Sequence, residues 1–283
     1  MTNTLPDFSG KPDLRPLAEL VRALREAGGI GETDCLLIGA AARDLWLKHG
    51  YGIEPGRETR DVDFAVAVAD WEAFSSLRRR LIGSGEFVAW PGAALHRLRH
   101  RSGAPLDIVP FGGVERADRT IAWPPDGAEI FDCFGLREAM TAGQRALLPG
   151  DVAVRVAGIP ALALLKTTAW QQRKHEGRDA GDLMLYLRKY IDCGQFEQAA
   201  VEHPDLFEDP DFDYEVLSAR LLGRHMAGLL NDAASNRLCT ILAAEADEAG
   251  SLLLARQSGL EIRHACALLQ GLCRELSEAA GKP

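Results

Sequence analysis

Asp61-Val62-Asp63 leads a run, ending at Val68, that alternates as a strand, and two carboxylates two residues apart on a strand point to one face. Strands disfavour Asp, and two on one face weaken a sheet. A third acid, Asp107, stands between Leu106 and Ile108 in a second short apolar run, Leu106 to Val109. A fold built on these strands must either turn the acids to water or gather them where a cation or a proton relieves their repulsion. Gathered, Asp61, Asp63 and Asp107 are hard oxygen ligands of the kind that suits Mg²⁺, which completes its shell with water and substrate phosphates. That layout is the one expected for metal-assisted phosphoryl or nucleotidyl transfer, with Asp107 as the further ligand or the base that activates an attacking hydroxyl.

Other residues bear on the same chemistry. Cys35 to Ile38 reads as a buried strand, Gly39 to Ala42 as a turn, and a helix follows from Ala42. Such a turn presents backbone N–H groups that can hold a phosphate, and small residues there also suit close helix–sheet packing. Arg57 and Thr59 precede the acid pair and read either as plain loop residues or as braces for it. His96-Arg97-Leu98-Arg99-His100-Arg101 places three arginines on one strand face, which either is simply solvated or steers a triphosphate or an RNA backbone towards the acids. Lys166 interrupts the apolar helix Leu162 to Trp170, and a lysine in such a setting either snorkels to water or is paired. Arg173, Lys174, Arg178, Asp179 and Asp182 follow, with Asp179 a candidate partner for Lys166 or a cleft residue.

The periodicity changes once, near Gly158-Ile159-Pro160. Before it, strands alternate with helices: a helix over 14–27 ended by Gly28-Gly29, another over 71–84, and strands over 87–90, 95–101, 106–109, 130–134 and 152–156. After it, helical periodicity runs to about residue 279. The expectation is an α+β fold in two domains. Residues 1–157 form a mixed sheet with flanking helices, and 158–283 an all-helical bundle that starts with Pro160 near a helix N-terminus. A formal net charge of −9 argues against whole-surface attraction to nucleic acid or an anionic membrane, while leaving room for a local basic patch. No apolar run approaches the roughly 20 residues needed to cross a bilayer. The chain opens without a signal-peptide core, and its six cysteines form no C-x-x-C pair, so a reducing cytoplasm and free thiols are expected.

Taken in order, Gly39-Ala40, Arg57-Glu58-Thr59-Arg60-Asp61-Val62-Asp63-Phe64, Leu106-Asp107-Ile108-Val109-Pro110-Phe111-Gly112 and Lys166…Arg173…Arg178-Asp179-Ala180-Gly181-Asp182-Leu183 resemble the nucleotidyltransferase superfamily with the polymerase-β-like fold. The set is most similar to the AbiEii/AbiGii-type toxin nucleotidyltransferases and covers about half the chain. The resemblance implies a Mg²⁺–NTP site, transfer of a nucleotide to a hydroxyl or similar acceptor, tRNA among the acceptors, and an antitoxin as genetic partner. It implies metal binding by Asp61, Asp63 and Asp107. Gly39, Ala40, Thr59 and Lys166 would bind nucleotide, with Lys166 and Asp179 completing a site expected between the two domains. An RNA acceptor would meet Arg97, Arg99 and Arg101. The chain departs from the family turn at Ala40, where Ser or Gly is usual; the hydroxyl is lost and the backbone N–H kept. Two alternatives stand beside this reading: a small-molecule nucleotidyltransferase of the antibiotic-modifying type, and a nucleotide-binding regulatory module with weak catalysis.

Overall fold

The computed structural model of the protein describes residues 6–56, 61–90 and 94–280. By its internal contacts the chain divides into two compact units, Met1–Gly158 and Ile159–Pro283. The α+β class is met: a mixed sheet with helices in the first unit, helices alone in the second.

The first unit begins with α1 (Arg15–Gly28), whose Leu20, Val21 and Leu24 form a buried stripe at helical spacing. The helix stops at Gly29, which takes φ +60° and returns its N–H to the Arg25 carbonyl. Strand β1 (Cys35–Ile38) is buried along its whole length, as a central strand must be, and leads directly into α2 (Gly39–Asp44). Burial of Leu36 and Leu37, both 0% exposed, contributes about 1.5–3 kcal/mol each. The expected turn over 39–42 is thus a single residue: Gly39, at φ +67°, makes the strand-to-helix corner alone. After Asp44 the helix widens into a π-helical stretch, Leu45–Gly50, anchored by a hydrogen bond from Trp46 Nε1 to the Ala157 carbonyl (2.8 Å).

Next come β2 (Val62–Val68) and α3 (Trp71–Gly83), which Asp70 caps by accepting from the Ala73 N–H at 2.8 Å. Strands β3 (Phe87–Ala89), β4 (Arg97–His100) and β5 (Pro105–Gly112) follow, the last two forming the hairpin expected about Ser102-Gly103-Ala104. A separate pair, β6 (Thr120–Ala122) and β7 (Ile130–Asp132), precedes α4 (Leu136–Thr141) and the hairpin β8 (Gln144–Leu148) with β9 (Val152–Val156). Strands β6 and β8 and helix α4 are additions to the sequence reading. Thr120–Ala122 is too short for a period to register, and β8 begins Gln-Arg and ends the sheet, so its pattern is only half apolar.

The main sheet has the order β3-β4-β5-β2-β1-β9-β8. At its centre β2 runs parallel to β5 and antiparallel to β1, and β1 runs parallel to β9. Asp107 therefore lies on an interior strand and not on a water-facing edge.

The second unit comprises α5 (Ile159–Gln172), α6 (Ala180–Lys189), α7 (Phe196–Glu202), α8 (Tyr214–Ala227), α9 (Asp232–Ala246), α10 (Leu253–Ser258) and α11 (Ile262–Ala280). Gly223 lets α8 and α11 approach closely; a Cβ there would stand 2.8 Å from the Leu272 carbonyl oxygen. Buried Glu275 of α11 then binds Arg220 (2.7 Å) and Arg224 (2.5 Å) of α8, so the carboxylate is paired on both oxygens. All six cysteines are free thiols. Among the described residues, no helix is long and apolar enough to cross a membrane.

Candidate active site

Strand register brings the acids together. Across the sheet, Arg97 of β4 is the partner of Asp107 on β5, Asp107 of Asp63 on β2, and Asp63 of Ile38 on β1. Partners in register point to the same face, and Asp61, two residues before Asp63, shares it. Three carboxylates and one guanidinium thus occupy one patch of sheet surface. Like charges placed directly opposite, as Asp63 and Asp107 are, destabilise a sheet unless something neutralises them.

Arg97 supplies part of that neutralisation. Its Nε donates to Asp107 Oδ1 and its Nη2 to Asp107 Oδ2, both at 2.8 Å, and Nη2 also reaches Asp61 Oδ2 at 3.2 Å. The two-pronged contact to Asp107 is the strong form of this interaction. The hydrogen bond with Asp107, above all, pushes the Arg97 guanidinium further up from its already high pKa.

Gly39 closes the patch at its β1 end. An added Cβ there would lie 2.2 Å from Asp63 Oδ2 and 2.9 Å from its Cγ, closer than any real contact. The residue is therefore required twice over, by its positive φ and by the carboxylate lying against its α-carbon. Ala40 sits in the first turn of α2, where backbone N–H groups lack intrahelical acceptors, and the preceding Ile38 has no side-chain oxygen to cap them. Behind the corner, Arg43 is only 1% exposed and pairs with Asp44 at 2.7 Å. In the sequence the pair is marked only by an Arg-Asp that directly follows the three alanines 40–42.

His96 immediately precedes Arg97. Its Nδ1 is buried without a hydrogen-bond partner, and its ring packs on Trp123 with centroids 5.0 Å apart. Burial lowers its pKa, against the pull of the Asp107 and Glu129 charges, so the ring beside the acids is neutral at pH 7. The other arginines of this strand face differ from Arg97: Arg99 is exposed, with its Cζ 5.8 Å from the Trp90 ring centre, and Arg101 pairs with Glu86 at 2.9 Å. Thr59, expected at the nucleotide, and Arg57 lie outside the described residues.

In the second unit Lys166 and Asp179 do meet, at 3.0 Å. Lys166 also binds Asp182 (2.8 Å), and Arg173 binds Asp179 through both Nε (2.7 Å) and Nη2 (3.0 Å). Asp179 is 1% exposed. Burial alone would raise its pKa; the Arg173 hydrogen bonds and the Lys166 and Arg173 charges outweigh it and hold the carboxyl below the usual range. Lys166 is thus the paired lysine of the two readings, with Asp182 the partner that the sequence did not single out.

For a divalent cation, the donor chemistry of the first patch fits. Asp61, Asp63 and Asp107 are hard oxygen ligands on one face, and two of them already converge on a cationic group. Among the described residues no set of three or more His, Cys, Asp or Glu is already gathered to hold a metal ion, and Arg97 stands between Asp61 and Asp107 instead.

No curated protein matches the chain. Among solved structures it is similar to a candidate nucleotidyltransferase from H. pylori (12% identity, 93% of this chain and 94% of that one, TM-score 0.30). It is also similar to JHP933 from Helicobacter pylori (10% identity, 93% and 92%, TM-score 0.29). Residues 22–236, well over half the chain, match the family described as "Nucleotidyl transferase AbiEii toxin, Type IV TA system". The chain belongs to the AbiEii family of nucleotidyltransferase toxins.

Proposed function

We propose that the protein transfers a nucleoside monophosphate from an NTP to an RNA acceptor of tRNA type, as the toxin of a toxin–antitoxin pair, using Mg²⁺ held by Asp61, Asp63 and Asp107. The observation that carries this reading is the register of Asp63 with Asp107 on the sheet face that Asp61 shares. A bound divalent cation would supply charge neutralisation and orientation for the triphosphate. The chain's own residues do the rest. Gly39 and Ala40 bring backbone N–H groups to the phosphates. Asp107, free of Arg97, accepts the acceptor hydroxyl's proton. Lys166 is the residue that the family resemblance assigns to phosphate charge; within the second unit Asp179 and Asp182 hold it, and Arg173 holds Asp179. Most of the rate gain would come from positioning and charge neutralisation.

Label transfer tests this. The protein and its Asp63→Ala variant are incubated with Mg²⁺, each α-labelled NTP in turn and total cellular RNA. A labelled tRNA-sized band that disappears in the variant is the expected result; unchanged labelling by the variant would sink the assignment.

One observation favours a second reading. Arg97 and Arg101 are engaged by carboxylates, so the basic strand face carries less uncompensated charge than its sequence promises. That suits a small-molecule acceptor. Reversing charge at Arg99 and Arg101 should abolish labelling of RNA if RNA is the acceptor, and leave transfer to a small acceptor largely intact if it is not.

A further inference from the structure

Arg97 cannot be an inert neighbour of a metal site. It already occupies the space between two of the proposed ligands, holding Asp107 at 2.8 Å through both prongs and Asp61 at 3.2 Å. A guanidinium does not deprotonate in proteins, so it cannot make room for another cation by losing charge. It can only move. Its side chain is 32% exposed, and its Cζ lies 5.7 Å from the centre of the Trp90 ring, the ring beneath Arg99 as well. The guanidinium is thus already within cation–π range of that ring while it holds the acids, and the ring can keep hold of it when it leaves them.

We propose that Arg97 is a built-in counter-cation: it neutralises Asp61 and Asp107 while no divalent cation is bound, and metal binding requires it to leave them. This rests on the reading of Asp61, Asp63 and Asp107 as the metal site. Two consequences follow from the competition. Metal affinity in the absence of nucleotide is set below what the carboxylates alone would give. The patch also stays folded without metal, because its acids are not left facing one another unrelieved. Removing the guanidinium reverses both effects.

The test uses Mn²⁺ as the probe, with free ion counted by its paramagnetic resonance signal, on the full chain without nucleotide. It compares the wild type with Arg97→Met, Arg97→Lys, Arg99→Met and Asp63→Asn. Melting temperatures are taken in EDTA and in saturating Mg²⁺. Loss of a two-pronged charge-assisted contact should tighten Mn²⁺ binding in Arg97→Met about tenfold, the equivalent of ~1.4 kcal/mol. The same variant should melt lower than wild type in EDTA and recover in Mg²⁺, because ligand binding to the folded state restores what the guanidinium supplied. Arg97→Lys keeps the charge but not the fork and should fall between; it also carries the test if Arg97→Met does not fold. Arg99→Met should bind Mn²⁺ as wild type does.

Unchanged or weaker Mn²⁺ binding in both Arg97 variants, with binding lost in Asp63→Asn, would overturn the counter-cation while leaving the metal site standing. Asp63→Asn binding as tightly as wild type would instead remove the metal site and the inference with it.

Discussion

Gly39→Ala isolates the tightest geometric demand of the patch. Alanine at φ +67° costs about 1–2 kcal/mol through the contact between Cβ and the following carbonyl. The new methyl also lands 2.2 Å from Asp63 Oδ2. The carboxylate must rotate, and a side chain driven some 30° from its rotamer costs roughly 0.5–1.5 kcal/mol. The combined loss is about 2–3 kcal/mol. At ~2–4 °C per kcal/mol for a body of this size, the melting temperature should fall by roughly 5–10 °C. Urea titration and thermal melts without nucleotide measure this independently of any reaction. Nucleotide transfer should fall by at least ~100-fold in parallel if Asp63 serves as proposed, since its carboxylate is displaced by an ångström or more. A double-mutant cycle separates the two terms. With Asp63→Ala the nearest contact relaxes to 3.1 Å at Cβ, so Gly39→Ala should then cost only the backbone term, and the sites should couple by about 1 kcal/mol. A cost below about 0.5 kcal/mol, or the same cost in both backgrounds, would refute the reasoning.

Asp179→Asn should destabilise the protein by about 3 kcal/mol, the low end for breaking a buried ion pair, because Asp182 still holds Lys166 and Arg173 is 41% exposed. The Asp179 carboxyl is held below its ordinary pKa, so its stabilisation is complete above about pH 3.9 and lost as pH falls through the folded value. Urea titrations from pH 5 downward should show a shallower acid limb in the variant, and an unaltered limb would refute the pairing. His225, hydrogen-bonded to Tyr190 at 2.6 Å, is pushed below the ordinary imidazole pKa by burial first and by the neighbouring His203 second. Its stabilisation is complete above about pH 6.5 and lost as pH falls through its folded value, so wild-type stability should decline below that point and His225→Phe should flatten part of the decline. Equal pH profiles for the two proteins would count against a buried neutral imidazole there.

Much of the site could be read from the residues alone. Acids two apart on a strand share a face whatever the fold, because the side-chain period of a strand is two. The change from strand alternation to helical periodicity near residue 158 likewise needs no coordinates. Even the Arg97–Asp107 pair was within reach: the two are equidistant from Ser102 in the recognised hairpin, and hairpin register follows from the turn. What sequence could not supply is the neighbour order of the strands. Asp63 and Asp107 face each other because β2 and β5 pair in parallel, and a parallel pairing is set by crossover connections and sheet packing, not by local pattern. The same holds for Gly39. Its sequence marks only a bend, and its second constraint exists because β1 and β2 pair with Ile38 opposite Asp63, laying that carboxylate against the glycine. The short-range periods belong to the chain; the charge assembled on one face belongs to the tertiary structure, because only long-range pairing brings residues separated by a helix and a hairpin within hydrogen-bonding distance.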